Sequence, residues 1–269
     1  MNYQEKCEKL KAIMRQYASE DVMIAFSGGV DSSLILALAC ETSKDRKVYA
    51  VTLHTMLHPS AELDEARAIA EEMGAEHMVL RTDELSEADI LMNPEDRCYR
   101  CKKYLFGKVA DLAKELSVMT IMEGTNEDDL HVYRPGIRAV REMGIKSPLA
   151  EAGMTKEEVR RLAAEYQVSS SNKPSTPCLA TRFPYGTELS YEKMQQVEAG
   201  ETFLKKFGFY NIRVRVHEDT VRIEVDSDKL AAAISNKNEI TEYMKKLGYQ
   251  YVTLDLEGFR SGSYDKQQK

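Results

Sequence analysis

Two periods alternate along this chain. From Asp21 onward short apolar runs exchange with stretches of helical spacing: DVMIAF, DSSLILALACE, KVYAVTL, SAELDEARAIAEEMG and HMVL. A short continuous apolar run reads as a strand buried on both faces, and apolar residues three and four apart read as a helix, so the order is β-α-β-α-β. A later helix over about residues 99–117 leads into VMTIMEG. The alternation predicts an α/β fold, a doubly wound parallel sheet with helices on both faces, and a first helix over about residues 3–18 packs outside it. Thr155 and Glu158 are spaced as a capping box, which opens a helix running to about Gln167.

SSSNKPSTP then reads as a linker. Beyond it follow a helix over about residues 190–207, NIRVRVH, TVRIEVD, a helix over about 227–247, and YVTLDLE. The pattern divides the chain into an α/β domain at 1–172 and a smaller α+β domain at 173–269.

Composition narrows the function. With 269 residues, 43% hydrophobic and 30% charged, the chain has the make-up of an ordinary globular protein. No run approaches the roughly 18 consecutive apolar residues of a membrane span, and MNYQEKCEKLK carries no apolar signal region, so no membrane partner and a cytoplasmic location are expected. A net charge of -7 weighs against nucleic acid as a partner, because polyanion affinity comes mostly from phosphate neutralisation. Five cysteines, an odd number, argue against a disulfide framework and for metal or reactive-thiol chemistry.

SGGVDSS, Ser27 to Ser33, lies between the first strand and its helix, at the carboxyl edge of the sheet. It lacks the lysine of the common phosphate loop. Gly28 and Gly29 still allow close backbone approach to an anion, the helix N-terminus offers N–H donors, and Ser27, Ser32 and Ser33 add hydroxyls. Pyrophosphate is the natural guest; a tight turn with Asp31 as a capping residue is the plainer reading. In NPEDRCYRCKKYLF, Cys98 and Cys101 stand at C-x-x-C spacing near a helix start, where Arg97, Arg100, Lys102, Lys103 and the helix dipole favour thiolates. Zinc wants a fourth ligand that no second C-x-x-C or close His pair supplies. Three thiolates, with Cys178, suit a [4Fe-4S] cluster with one iron open to sulfide. A redox pair or unrelated surface thiols are the alternatives. Cys7 and Cys40 sit among apolar neighbours as packing residues. In NIRVRVH, Arg213 and Arg215 project from one strand face and match a phosphate monoester, with Arg260 able to join; a solvated face balanced by Glu224 is the alternative.

SGGVDSS resembles the signature of the PP-loop ATP pyrophosphatases, which cleave ATP between its α- and β-phosphates. The resemblance implies ATP and Mg2+ as cofactors, with Ser27, Gly28, Gly29, Asp31, Ser32 and Ser33 around the pyrophosphate. It also implies Thr52 in AVTLHT near the adenine, and Gly124, Thr125 and Asn126 in EGTNEDD as a second nucleotide segment. Asp31 and Asp128 become magnesium contacts; an acidic helix cap is the other reading of Asp128. CLATRFPYG, RCYRCKKYLF, GTNEDD, RPGIRA with IKSPL, and RVRVH with EGFRSG together resemble the LarE family, ATP-dependent sulfur transferases that help make the nickel-pincer cofactor of lactate racemase.

That resemblance spans nearly the whole chain and implies a small mononucleotide substrate, pyridinium-3,5-biscarboxylic acid mononucleotide, adenylylated on its carboxylates and converted to thiocarboxylates. Arg213, Arg215 and Arg260 would grip its phosphate. Arg182 would steady the adenylate or a substrate carboxylate, with Glu201 and Glu224 nearby. One type of LarE gives up the sulfur of a single cysteine, at the place of Cys178. Cys98 and Cys101 depart from that pattern and resemble the second type, in which three cysteines hold the cluster and sulfur comes from a sulfide source or donor. A homo-oligomer is implied, with a hexamer among the forms. Two rival readings are tRNA thiolation, which an extended basic surface would mark, and a non-catalytic ATP-binding module, which would release no pyrophosphate.

Overall fold

A computed structural model describes residues 1–43, 45–58, 61–172 and 177–260, with no side-chain description at 61, 62 and 172. In chain order the first elements are α1 (Tyr3–Tyr17), β1 (Val22–Ala25), α2 (Val30–Thr42), β2 (Val48–His54), α3 (Ala61–Glu72) and β3 (Glu76–Arg81). Then come α4 (Glu84–Glu87), α5 (Arg97–Glu115), β4 (Thr120–Met122), a 3-10 turn at Asp128–His131, α6 (Gly136–Glu142), α7 (Pro148–Ala152) and α8 (Lys156–Glu165). After these lie α9 (Tyr191–Lys205), β5 (Ile212–His217), β6 (Thr220–Val225), α10 (Leu230–Ser235), α11 (Lys237–Lys246) and β7 (Tyr251–Leu254).

The four N-terminal strands form a parallel sheet in the order β3-β2-β1-β4. Side chains alternate faces along a strand, and both faces here are covered. Val22, Ile24, Val48 and Ala50 meet Leu10 and Met14 of α1, Leu34 and Leu38 of α2, and Val159 and Leu162 of α8. Met23, Tyr49 and Val51 meet Phe106 and Val109 of α5 and Val140 of α6. This is the doubly wound α/β fold that the alternating runs predict. Helix α2 buries residues all around its circumference because it leaves the centre of the sheet. Helix α8 opens with the expected capping box, Thr155 and Glu158 each accepting from the other's backbone N–H.

The chain divides into two compact units: Met1–Thr55, Ser60–Ile90 and Asp96–Thr176 form one, and Met56–Pro59, Leu91–Glu95 and Pro177–Lys269 the other. The second unit therefore draws in two short upstream segments. Leu179 N–H donates to Leu57 O at 2.7 Å, and the buried Asn93 side chain donates to the carbonyls of Phe183 (3.1 Å) and Pro184 (2.7 Å). The central part of the predicted linker, residues 173–176, lies outside the described residues.

The small sheet runs β5-β6-β7, antiparallel then parallel. The single helix expected over about 227–247 is a 3-10 turn and two helices, broken at Asn236. Ser235 Oγ and Asn236 Nδ2 donate back to the carbonyls of Ala231 and Ala232, a local competition with the helical ladder that these residue types favour. Among the described residues no helix is long and apolar enough to cross a membrane.

Candidate functional site

The glycine loop sits where β1 gives way to α2. Gly28 has φ +70, and a Cβ there would lie 3.1 Å from the Ala66 Cα, so only glycine suits the turn. Gly29 is the N-cap without a side-chain cap, which makes Asp31 the second residue of the helix and corrects the reading of Asp31 as its cap. Ser32 Oγ donates to Gly29 O at 3.2 Å and Gly29 N–H to Ser27 Oγ at 3.3 Å, so the serines brace the loop. Ser33 N–H closes on Gly29 O at 3.0 Å, which leaves the N–H groups of Val30, Asp31 and Ser32 as the helix's orphan donors.

The end of β4 lies against the same turn. A Cβ at Gly124 would come 3.0 Å from the Asp31 Cβ and 3.1 Å from the Ser32 nitrogen. Asn126, buried, donates from Nδ2 to Asp31 Oδ1 at 3.2 Å. Thr125 N–H donates to Glu123 Oε1 at 2.9 Å. Burial would raise the Glu123 carboxyl, but Lys102 (3.2 Å), the Ser147 hydroxyl (2.6 Å) and Thr125 together hold it below its ordinary value. Asp128 Oδ2 accepts the Lys156 N–H at 2.8 Å, the acidic-cap role weighed for it. Thr52, at the end of β2, is bonded through Oγ1 to His77 Nε2 at 2.8 Å, so its hydroxyl already serves the sheet.

Sequence reasoning passed over Lys156. Its ammonium contacts Asp31 Oδ2 across 125 positions of sequence. The only early hint was its place beside the Thr155 cap. The residues fit an ATP-like ligand: the glycines leave room that a Cβ would fill, and Ser33 Oγ is buried with no hydrogen-bond partner among the described residues.

Cys98 and Cys101 occupy the first turn of α5, the former exposed and the latter half-buried. The basic residues around them are not spare. Of the four cations expected to favour the thiolates, Arg100 is held by Asp96 (2.8 Å) and Asp89, Lys102 by Glu123 (3.2 Å), and Lys103 by Glu142 (3.6 Å), so these three have carboxylate partners of their own. The i, i+3 spacing of the pair still suits two thiolate ligands, with Cys178 carried by the second unit. Among the described residues no set of three His, Cys, Asp or Glu side chains is assembled for a metal ion. Cys7 and Cys40 pack with the α1 and α2 core as expected, and burial pushes the Cys40 thiol up to about 11.

The arginines of the second unit differ from one another. The alternative of a solvated face balanced by Glu224 holds for the pairing but not for the solvent at Arg215, which is 4% exposed, with Nε 3.0 Å and Nη2 3.2 Å from the Glu224 carboxylate and Nη1 donating to Thr181 O at 2.6 Å. Glu224, itself 1% exposed, also accepts from Arg222 at 3.2 Å. Arg182 is 1% exposed and bidentate to Glu201 at 2.8 and 2.9 Å; its Nη1 donates to the carbonyls of Pro177 (3.0 Å) and Cys178 (3.3 Å) and to Thr181 Oγ1 (2.8 Å). Arg182 thus anchors the loop that carries Cys178. Among the described residues Arg213 makes no carboxylate bond of this kind. It donates to its neighbour's carbonyl, Ile212 O, at 2.6 Å and lies 4.8 Å from the Phe259 ring centroid. Burial, then the like charge of Arg182 and of Arg215, against the opposing pull of Glu201 and Glu224, bring its guanidinium down to about 10, so it stays charged at neutral pH. Arg260 pairs with Glu257 at 2.6 Å.

The asparagine synthase family matches residues 10–94, the stretch that holds β1, the glycine loop and β2. The pyridinium-3,5-bisthiocarboxylic acid mononucleotide synthase of Lactiplantibacillus plantarum is 37% identical over 90% of this chain and 87% of its own length. The chain belongs to the LarE family. It is an ATP-dependent sulfurtransferase of the PP-loop superfamily. An uncharacterized protein of Synechocystis sp. is 37% identical over 94% of this chain and 96% of its own. A tRNA-specific 2-thiouridylase of Rickettsia felis is 24% identical over 58% of this chain and 52% of its own, so likeness to the tRNA enzymes stops well short of the whole LarE chain.

Proposed function

We propose that this chain adenylylates the carboxylates of pyridinium-3,5-biscarboxylic acid mononucleotide and converts them to thiocarboxylates. A substrate carboxylate oxygen attacks the α-phosphorus of ATP, and pyrophosphate leaves toward the N–H donors of the glycine loop. A sulfur nucleophile then adds to the carbonyl, and AMP departs with the C–O electron pair. The orphan N–H groups at the start of α2 and the charge of Arg213 are what this sequence needs, one for an anionic leaving group and one for the substrate's phosphate. Arg213 carries this reading. Arg215 acts behind it by fixing the strand through Glu224, and Arg260 joins from its loop. Thr52 would adjoin the adenine at the end of β2, Gly124, Thr125 and Asn126 would line the nucleotide, and Asp31 and Asp128 would hold the Mg2+ that accompanies ATP. The enzyme works in the cytoplasm as a homo-oligomer, with a hexamer as one form.

Cys98, Cys101 and Cys178 would hold a [4Fe-4S] cluster, which would supply sulfide for attack on the adenylate. A second reading, sacrifice of the Cys178 sulfur, is favoured by the Arg182 anchor on the Cys178 carbonyl, which holds that residue in the same unit as Arg213. One experiment divides them. Anaerobically reconstituted protein should bind about four irons per chain by the cluster's stoichiometry and turn over repeatedly with sulfide, and alanine at any of the three cysteines should lose the cluster. Loss of about 34 Da from Cys178 after one turnover, the mass of hydrogen sulfide, with Cys98 and Cys101 dispensable, would establish the sacrificial route instead. Absence of any ATP-dependent thiocarboxylate product would refute both.

A further inference from the structure

The glycine loop has no lysine of its own, and the structure brings one to it. Lys156 is the first residue of α8, and its place is set twice: its N–H donates to Asp128 Oδ2 at 2.8 Å, and the Glu127 N–H donates to Met154 O at 2.8 Å just upstream. These bonds tie the start of α8 to the loop after β4, the loop whose Gly124 rests on Asp31 and Ser32. The Lys156 ammonium ends at the Asp31 carboxylate, one residue before Ser32, whose N–H has no partner among the described residues.

The other cations of this edge have fixed partners. Lys102 is on the buried Glu123 at 3.2 Å, and Arg134 is on Asp129 at 3.0 Å. Asp31 and Lys156 are different, because both side chains remain partly open, 21% and 29% exposed. A pair of that kind adds little net stability and exchanges partners readily. Asp31 also keeps a second donor, the Asn126 amide at 3.2 Å, so losing the lysine would not strand its carboxylate.

We propose that Lys156 is the cation of this phosphate site, held by Asp31 and transferred to the pyrophosphate oxygens of the nucleotide. The proposal rests on the reading of the loop as an ATP site. It explains how a loop built only of glycines, serines and an aspartate meets the charge of a polyphosphate, and why the acidic Asp31 can stand in the first turn of α2 beside it. Release of the lysine leaves the Asp31 carboxylate available to the Mg2+ that accompanies ATP.

The test is equilibrium binding by calorimetry, in the presence of Mg2+, of inorganic pyrophosphate, α,β-methylene-ATP and AMP to the intact chain. Lys156→Ala should weaken pyrophosphate and the ATP analogue tenfold or more and leave AMP within about twofold; Lys156→Arg should restore most of the loss. Unchanged pyrophosphate affinity in Lys156→Ala overturns the proposal. Wild-type protein that binds neither pyrophosphate nor the analogue overturns the ATP-site reading instead. Should Lys156→Ala fail to fold, the wild-type chain decides: after reductive 13C-methylation, the Lys156 resonance should shift on saturation with pyrophosphate, and a resonance that stays in place refutes the transfer.

Discussion

Replacing Arg182 by alanine should cost stability before it costs chemistry. The guanidinium makes two bonds to Glu201 (2.8 and 2.9 Å), two to the carbonyls of Pro177 and Cys178 (3.0 and 3.3 Å) and one to Thr181 Oγ1 (2.8 Å), and its side chain is 1% exposed. Truncating one member of a buried ion pair costs about 3–5 kcal/mol, chiefly because the other charge is left without a partner. Glu201 would keep one donor, the Val214 N–H at 3.0 Å, and its side chain is 14% exposed, which places the expected loss at the lower end, about 3 kcal/mol. With a urea slope of about 2 kcal/mol/M, the midpoint falls by about 1.5 M. The assay is urea unfolding at pH 7 followed by circular dichroism. The double variant Arg182→Met, Glu201→Gln removes both charges and keeps an acceptor for Val214, so it should recover all but about 1–2 kcal/mol. An Arg182→Ala protein with an unmoved midpoint and a selective loss of substrate affinity would refute this account and return Arg182 to direct substrate contact.

Two further outcomes follow from the same geometry. Arg213→Ala should weaken the mononucleotide by about 1.5–3 kcal/mol with the fold intact, whereas Arg215→Ala, which strands the 1%-exposed Glu224 with Arg222 alone, should destabilise by about 3 kcal/mol; calorimetry and urea unfolding separate them, and equal affinity losses without destabilisation would contradict the distinction. The Glu123 carboxyl is held below its ordinary value of 4.5 in the fold, despite burial, by Lys102, Ser147 and Thr125, so the unfolded chain takes up its proton first: this contribution to stability is complete above pH 4.5 and is lost as pH falls through the lower folded value. Unfolding midpoints across that acid range should fall more steeply in wild type than in Glu123→Gln, and parallel curves would remove Glu123 from the explanation.

The α/β order of the first unit was legible because its signals are local. Val22 to Ala25 and Val48 to His54 are apolar runs of strand length, the Thr155–Glu158 box is a four-residue pattern, and a Gly-Gly pair between strand and helix already marks a phosphate-sized turn. The strand NIRVRVH likewise announced its alternation, with Ile212, Val214 and Val216 on the core side. What tertiary structure decided was how charge is balanced, since an ion pair depends on contact and these partners lie far apart in sequence. Arg213 and Arg215 are equivalent by alternation, yet packing gives Glu224 to Arg215 and leaves Arg213 with a carbonyl and an aromatic ring. Arg182 looked poised for substrate until the fold delivered Glu201 to it from 19 residues away. Lys156 was invisible for the same reason: only the packing of α8 beside α2 brings it to Asp31, and no spacing rule reaches across 125 residues.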